Sequence, residues 1–224
     1  MKRWLLLWLL SSLAMAQELV LPPGLESRRP EFIETVSKAQ QRLERFCAGH
    51  DWGFLLRDPI MKKVQIFDSK ADYDDLLRKI YPEAAQVTIP ATFVAGFEKD
   101  FFFAVSPEIY ATNVAKFVEP QSYEKLITHE MAHKLHVRLL NGQEEKMGPI
   151  WFWEGFATFV ASQFEAEPCT ISREQVEAVM ANPERGDYRL YNQTFKYFVR
   201  LVPIQELVRR AGQDGFHEWL LKNV

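Results

Sequence analysis

Thr128-His129-Glu130-Met131-Ala132-His133 and, after a polar loop, Trp151-Phe152-Trp153-Glu154-Gly155-Phe156-Ala157 are the stretches that organise this chain of 224 residues. The first is H-E-x-x-H. On a helix, residues i and i+4 share a face, so His129 and His133 can aim both imidazoles at one point. That suits a tetrahedral metal that takes nitrogen ligands at about 2.0–2.1 Å. Glu130 lies about 100° further round a helix of 3.6 residues per turn. It can reach a metal-bound water without binding the metal. A catalytic zinc usually has three protein ligands and one open position, and Glu154 on a second helix is the candidate third ligand.

The context supports a helix. Pro120-Gln121-Ser122 offers a start and Asn141-Gly142 a stop, which puts the motif in mid-helix. Leu126 to Leu135 is apolar nearly all round, a pattern of burial. Buried His and Glu need partners, and a shared metal would satisfy all three. The plainer reading is a core helix whose polar residues hydrogen-bond to their neighbours.

At these residues the chain resembles the gluzincin metallopeptidases, the clan of thermolysin and the aminopeptidase N-type enzymes, and most closely the small bacterial peptidase MA-like proteins. The resemblance rests on Thr128-His129-Glu130-x-x-His133 and Trp151-x-x-Glu154-Gly155-x-Ala157. It extends more weakly to Tyr191-Asn192-Gln193-Thr194-x-x-x-Phe198-Val199-x-x-Val202. It implies a zincin-like fold with His129, His133 and Glu154 as zinc ligands and Glu130 as general base. It also implies that Tyr191 is an oxyanion donor, with Tyr188 as the nearest competitor. Packing offers a second account of Tyr191, because Tyr191, Phe195, Phe198 and Val202 form one helical stripe.

Three departures limit the carry-over. The Gly-x-Met-Glu-Asn segment that grips a substrate amine in the aminopeptidases is absent, so exopeptidase action is not implied. Where thermolysin-like enzymes carry an Asp that orients a His, this chain has Thr158, so the partner of the zinc histidines must come from elsewhere. A metzincin is excluded because positions 136 and 139 are His136 and Leu139 rather than Gly and His.

Residues 1–16 read as a secretory signal peptide. Lys2 and Arg3 form the basic region, Trp4 to Leu13 the apolar run, and Ala14-Met15-Ala16 the cleavage site. The run is shorter than the ~20 residues of a spanning helix, so no stable membrane span is expected after cleavage. The destination is the bacterial periplasm or the exterior. From Gln17 onward 208 residues remain, and removing Lys2 and Arg3 from 27 basic residues leaves 25 against 30 acidic ones. A net charge near −5 provides no basic footprint for nucleic acid. Cys47 and Cys169 are the only cysteines; in an oxidising compartment they can form a disulfide, or they can remain two buried thiols.

The remaining elements follow from punctuation and periodicity. Residues 17–30 are an extended lead-in, and 31–224 form one domain. A helix begins at Pro30 and ends near Gly49, and Val64-Gln65-Ile66-Phe67 is a strand. Ser69 caps a helix to Ile80. Asp72, Asp74 and Asp75 lack a calcium loop and read as a solvated charge cluster. Residues 87–89 and 92–94 suggest a strand broken by Pro90, and Phe101 to Val105 another, with 96–100 as the turn. The resemblance implies that an edge strand here lines the cleft; a core hairpin under the helices is the alternative. Helices are expected from Pro149 to Pro168, from Ser172 to about Ala181, over the Tyr191 stripe, over 204–211 and over 216–221.

Together these readings give an α+β fold, a small N-terminal sheet with helices followed by a mainly helical part. The expected function is an exported zinc-dependent peptidase that hydrolyses a peptide or protein substrate through a zinc-activated water. The alternative is a catalytically silent zinc-binding envelope protein that binds peptides or assists assembly.

Overall fold

The computed structural model describes residues 17–222, so the signal-peptide reading of residues 1–16 lies outside the described residues. In chain order the strands are β1 (Glu18–Val20), β2 (Lys63–Phe67), β3 (Ala95–Glu98) and β4 (Phe101–Val105). The helices are α1 (Arg29–Ala48), α2 (Lys70–Ile80), α3 (Pro107–Asn113), α4 (Ser122–Leu139), α5 (Ile150–Val160), α6 (Arg173–Ala181), α7 (Tyr188–Val199), α8 (Ile204–Arg210) and α9 (Phe216–Lys222). A mixed α/β fold results, with every strand in the N-terminal half.

The strands form one sheet in the order β1-β2-β4-β3. β1 and β4 flank β2 in parallel, each through a crossover that contains a helix, and β3 closes one edge antiparallel to β4. β4 is central, and its run Phe102-Phe103-Ala104-Val105 is fully buried, as expected of a strand covered on both faces. β2 instead alternates, with Val64 and Ile66 buried between half-buried neighbours. The lead-in is extended only as far as Pro22, with residues 18–20 a strand paired with Lys63–Gln65; Pro23–Arg28 form a 3-10 helix that runs into α1, which corrects the extended reading there.

Residues 87–94 form no strand, which corrects the expectation there. Pro90 cannot donate to a ladder, and Val87 and Phe93 are exposed, so the segment lacks a buried face. Only Val94 reaches the sheet, its carbonyl accepting from the Val105 amide at 2.9 Å. The turn is also shorter than 96–100: Glu98 pairs with Phe101, leaving Lys99 and Asp100 to reverse the chain. Lys99 takes the positive φ of 54° that so tight a turn requires.

α4 is the central helix, buried along most of its length. α1 packs on one side of it through a largely buried Arg42–Glu124 ion pair at 2.7 Å and a Thr128 hydroxyl that donates to the Ala39 carbonyl. α5 covers another side. α4 ends where Asn141 and Gly142 both turn to positive φ, the stop read from sequence.

α5 ends at Val160, well short of Pro168. Neither Gly nor Pro marks this break. Ser162 and Phe164 adopt positive φ, and the freed Phe164 amide donates to the Glu119 carboxylate at 3.0 Å. A side chain distant in sequence thus takes over a helix-terminal bond, and the chain turns back toward α4. Cys47 and Cys169 are both free; Cys47 is fully buried and the Cys169 thiol lies on the Gln193 carbonyl. Burial pushes the Cys47 thiol up to about 11.

Candidate metal centre

His129, Glu130 and His133 come from α4, and Glu154 comes from α5, packed against it. The approach of α5 depends on Gly155. A Cβ there would lie 2.8 Å from the Tyr191 carbonyl and 3.0 Å from Phe195 Cβ, both on α7. The helix therefore accepts a residue that costs about 1 kcal/mol relative to Ala in exchange for close packing.

The three expected ligands converge. Glu154 Oε2 lies 3.0 Å from His129 Nε2 and 3.6 Å from His133 Nε2. The two Nε2 atoms are 3.1 Å apart, and the rings stand nearly perpendicular at 88°. One nitrogen from each ring and one carboxylate oxygen all fall within 4.8 Å of one another. Two imidazole nitrogens and a carboxylate are a donor set for zinc, so these residues fit the expected metal.

A further contact holds one candidate ligand. His129 Nδ1 lies 3.0 Å from Gln163 Oε1, and an Nδ1–H donated there would leave Nε2 as the nitrogen available to a metal. Gln163, and not Thr158, is the side chain in contact with the His129 Nδ1. The Thr158 hydroxyl donates to the Gly155 carbonyl in its own helix and accepts from Asn192. Gln163 is placed by the early end of α5, which is why sequence periodicity gave no sign of it.

The electrostatics follow from burial and pairing. Burial works against charge on Glu154, which is only 2 % exposed, yet His129 and His133 beside it hold its carboxyl well below the usual carboxylate range. Burial likewise opposes a charged His129, but the Glu154 carboxylate, with Glu130 and Gln163, raises its pKa.

The outer side of Glu154 is occupied as well. Oε1 accepts hydrogen bonds from the Arg185 guanidinium and from the Tyr188 hydroxyl, the latter at 2.8 Å. Burial first, and then the Glu154 charge, raise the Tyr188 phenol well above its ordinary value.

The two tyrosines are separated by the geometry of α7. Tyr188 lines the cleft, with its ring 5.9 Å from that of His129. Tyr191, one turn on, is buried and points away: its hydroxyl accepts from the Gly186 amide and donates to the Glu184 carbonyl at 3.1 Å. The packing account of Tyr191 therefore describes its position, and Tyr188 is the tyrosine at the site. Arg185 had no motif around it.

His129, Glu154 and Arg185 sit in one cleft of about 540 Å³. Glu130, His133, Gln163 and Tyr188 line it, and so do Ala95 and Gly96 of the sheet-edge strand β3. Both hairpin readings hold in part: the β4 phenylalanines Phe102 and Phe103 are core, while β3 borders the cleft. His136 takes no part. It is buried on another side of α4 between Phe152 and Phe156.

Comparison of the chain with protein-family models, with curated proteins and with solved structures finds no match.

Proposed function

We propose that this protein is a zinc-dependent peptidase of zincin-like type, exported by the segment 1–16 and acting on a peptide or protein substrate. The observation that carries the reading is the convergence of His129, His133 and Glu154 at a cleft that Glu130 also lines. The order of the parts adds support: H-E-x-x-H on α4, a glutamate on the next helix, and a sheet edge beside both. Among the described residues no helix is long and apolar enough to cross a membrane.

His129, His133 and Glu154 would hold the zinc. When bound, zinc supplies a Lewis acid that acidifies water and polarises a carbonyl. Glu130 takes the proton from the attacking water and returns it to the leaving amine. Gln163 keeps His129 in one tautomer throughout. The β3 edge offers main-chain groups to an extended peptide. Of the two tyrosines, Tyr188 is the one whose hydroxyl is at the centre; it would serve as donor to the developing oxyanion by turning its O–H from Glu154 Oε1 to the substrate.

The test is Glu130→Gln, assayed beside the unaltered protein against a library of internally quenched fluorescent peptides, with bound zinc measured by elemental analysis. The variant should retain its zinc and lose about 10²–10⁴-fold in turnover. Wild-type turnover in the variant would refute the mechanism. Stoichiometric zinc in the unaltered protein with no cleavage of any peptide would instead favour the silent zinc-binding module.

A further inference from the structure

The contacts on the far side of Glu154 extend the centre beyond its ligands. A carboxylate has two oxygens, and which of them faces a metal depends on what holds the other. Here Oε2 faces both imidazoles, while Oε1 takes two donors, the Arg185 guanidinium and the Tyr188 hydroxyl. Two donors on one oxygen fix the rotation of the carboxyl group.

Arg185 is itself held in place. Its guanidinium lies 5.3 Å from the centre of the Trp153 ring and 5.8 Å from that of Tyr188. Its backbone is pinned from both sides by a single buried group. The Tyr191 hydroxyl accepts from the amide of Gly186 and donates to the carbonyl of Glu184, the two neighbours of Arg185 in sequence. A Cβ at Gly186 would sit 3.1 Å from that hydroxyl, so the close approach suits glycine. Asn182 also ties the loop, its side-chain oxygen accepting from the Glu184 amide at 3.0 Å.

We infer that Arg185 is a positioning residue of the metal centre, orienting the ligand oxygen of Glu154, and that Tyr191 acts one link further out by pinning the loop that carries Arg185. The inference rests on the zinc site proposed above, though not on any peptidase activity. It gives Tyr191 a place in the site without contact with substrate. It also makes a signed prediction. A guanidinium that merely balanced the Glu154 charge would compete with a bound cation, and removing it would tighten metal binding. A guanidinium that orients the ligand has the opposite effect.

The experiment is a double-substitution cycle on the protein from residue 17 onward: unaltered, Arg185→Ala, Tyr191→Phe and the pair together. Zinc affinity is read by competition with a chromophoric chelator, ligand geometry by the visible spectrum of the cobalt(II)-loaded forms, and folding by circular dichroism and urea midpoint. Arg185→Ala should weaken zinc by about 10–100-fold and change the cobalt spectrum while the fold persists. Tyr191→Phe should weaken zinc by a smaller factor, and that effect should vanish once Arg185 is gone. Equal or tighter zinc binding in Arg185→Ala would overturn the positioning role. Additive effects of the two substitutions would overturn the link through Tyr191. No zinc in the unaltered protein would remove this inference together with the proposed function, whereas the expected cycle without peptide cleavage would leave it standing and remove only the peptidase.

Discussion

His136 lies three residues beyond His133 on α4, yet it has the opposite surroundings. It is fully buried, neither ring nitrogen has a hydrogen-bond partner among the described residues, and the Phe156 ring centre is 4.7 Å away. Burial, with a smaller effect from His133, pushes its pKa down to about 3 from an ordinary 6.5. In the unfolded chain the same ring protonates near 6.5. Stability from keeping it neutral is therefore complete above that pH and is lost as pH falls from about 6.5 toward 3. At pH 5 the loss is about 2 kcal/mol. His136→Leu should remove that share of the acid sensitivity, so urea midpoints at pH 7.5 and pH 5 should differ less than in the unaltered protein. An unchanged difference would mean that the ring takes a proton without unfolding. The sequence excluded the metzincin pattern at His136, but only packing revealed how strongly its charged form is excluded.

At the scale of elements, Gly155 sets the distance between α5 and α7. Intrinsic propensity favours Gly155→Ala by about 1 kcal/mol. The added Cβ, however, would meet the Tyr191 carbonyl at 2.8 Å, a backbone atom that cannot swing aside. We expect the steric effect to win, with a net destabilisation of about 1–3 kcal/mol and a lower melting temperature. A melting temperature at or above that of the unaltered protein would show that α7 shifts freely. Elements with local signals were legible in sequence. Ser69 caps α2, and Ser172 with Gln175 forms the capping box of α6, both where periodicity placed them. α3 starts at Ser106-Pro107, but its seven residues are too few to display a period. The end of α5 carried no local signal, since its terminating partner is Glu119 from before α4.

At the scale of the molecule, the candidate ligands join α4 to α5, while Gln163, Arg185 and Tyr188 bring in the loop after α5 and the entry to α7. A cation bound there would tie together elements that unfolding separates. Zinc at 100 times its dissociation constant should add about 2.7 kcal/mol to stability, seen as a rise in melting temperature that a chelator reverses. His133→Ala should abolish the rise. An equal rise in that variant would place the bound zinc elsewhere.

What the sequence determined by itself was the local chemistry. The i, i+4 spacing of His129 and His133, the glutamate between them and Glu154 on the next apolar helix were all readable, because one helix turn fixes those relations. The tertiary structure alone decided the surroundings of these ligands: Gln163 behind His129, Arg185 and Tyr188 behind Glu154, and Tyr191 facing the loop rather than the cleft. These depend on where α5 breaks and how α7 is rotated against it. Both are set by contacts between residues far apart in the chain, and no spacing along it encodes them.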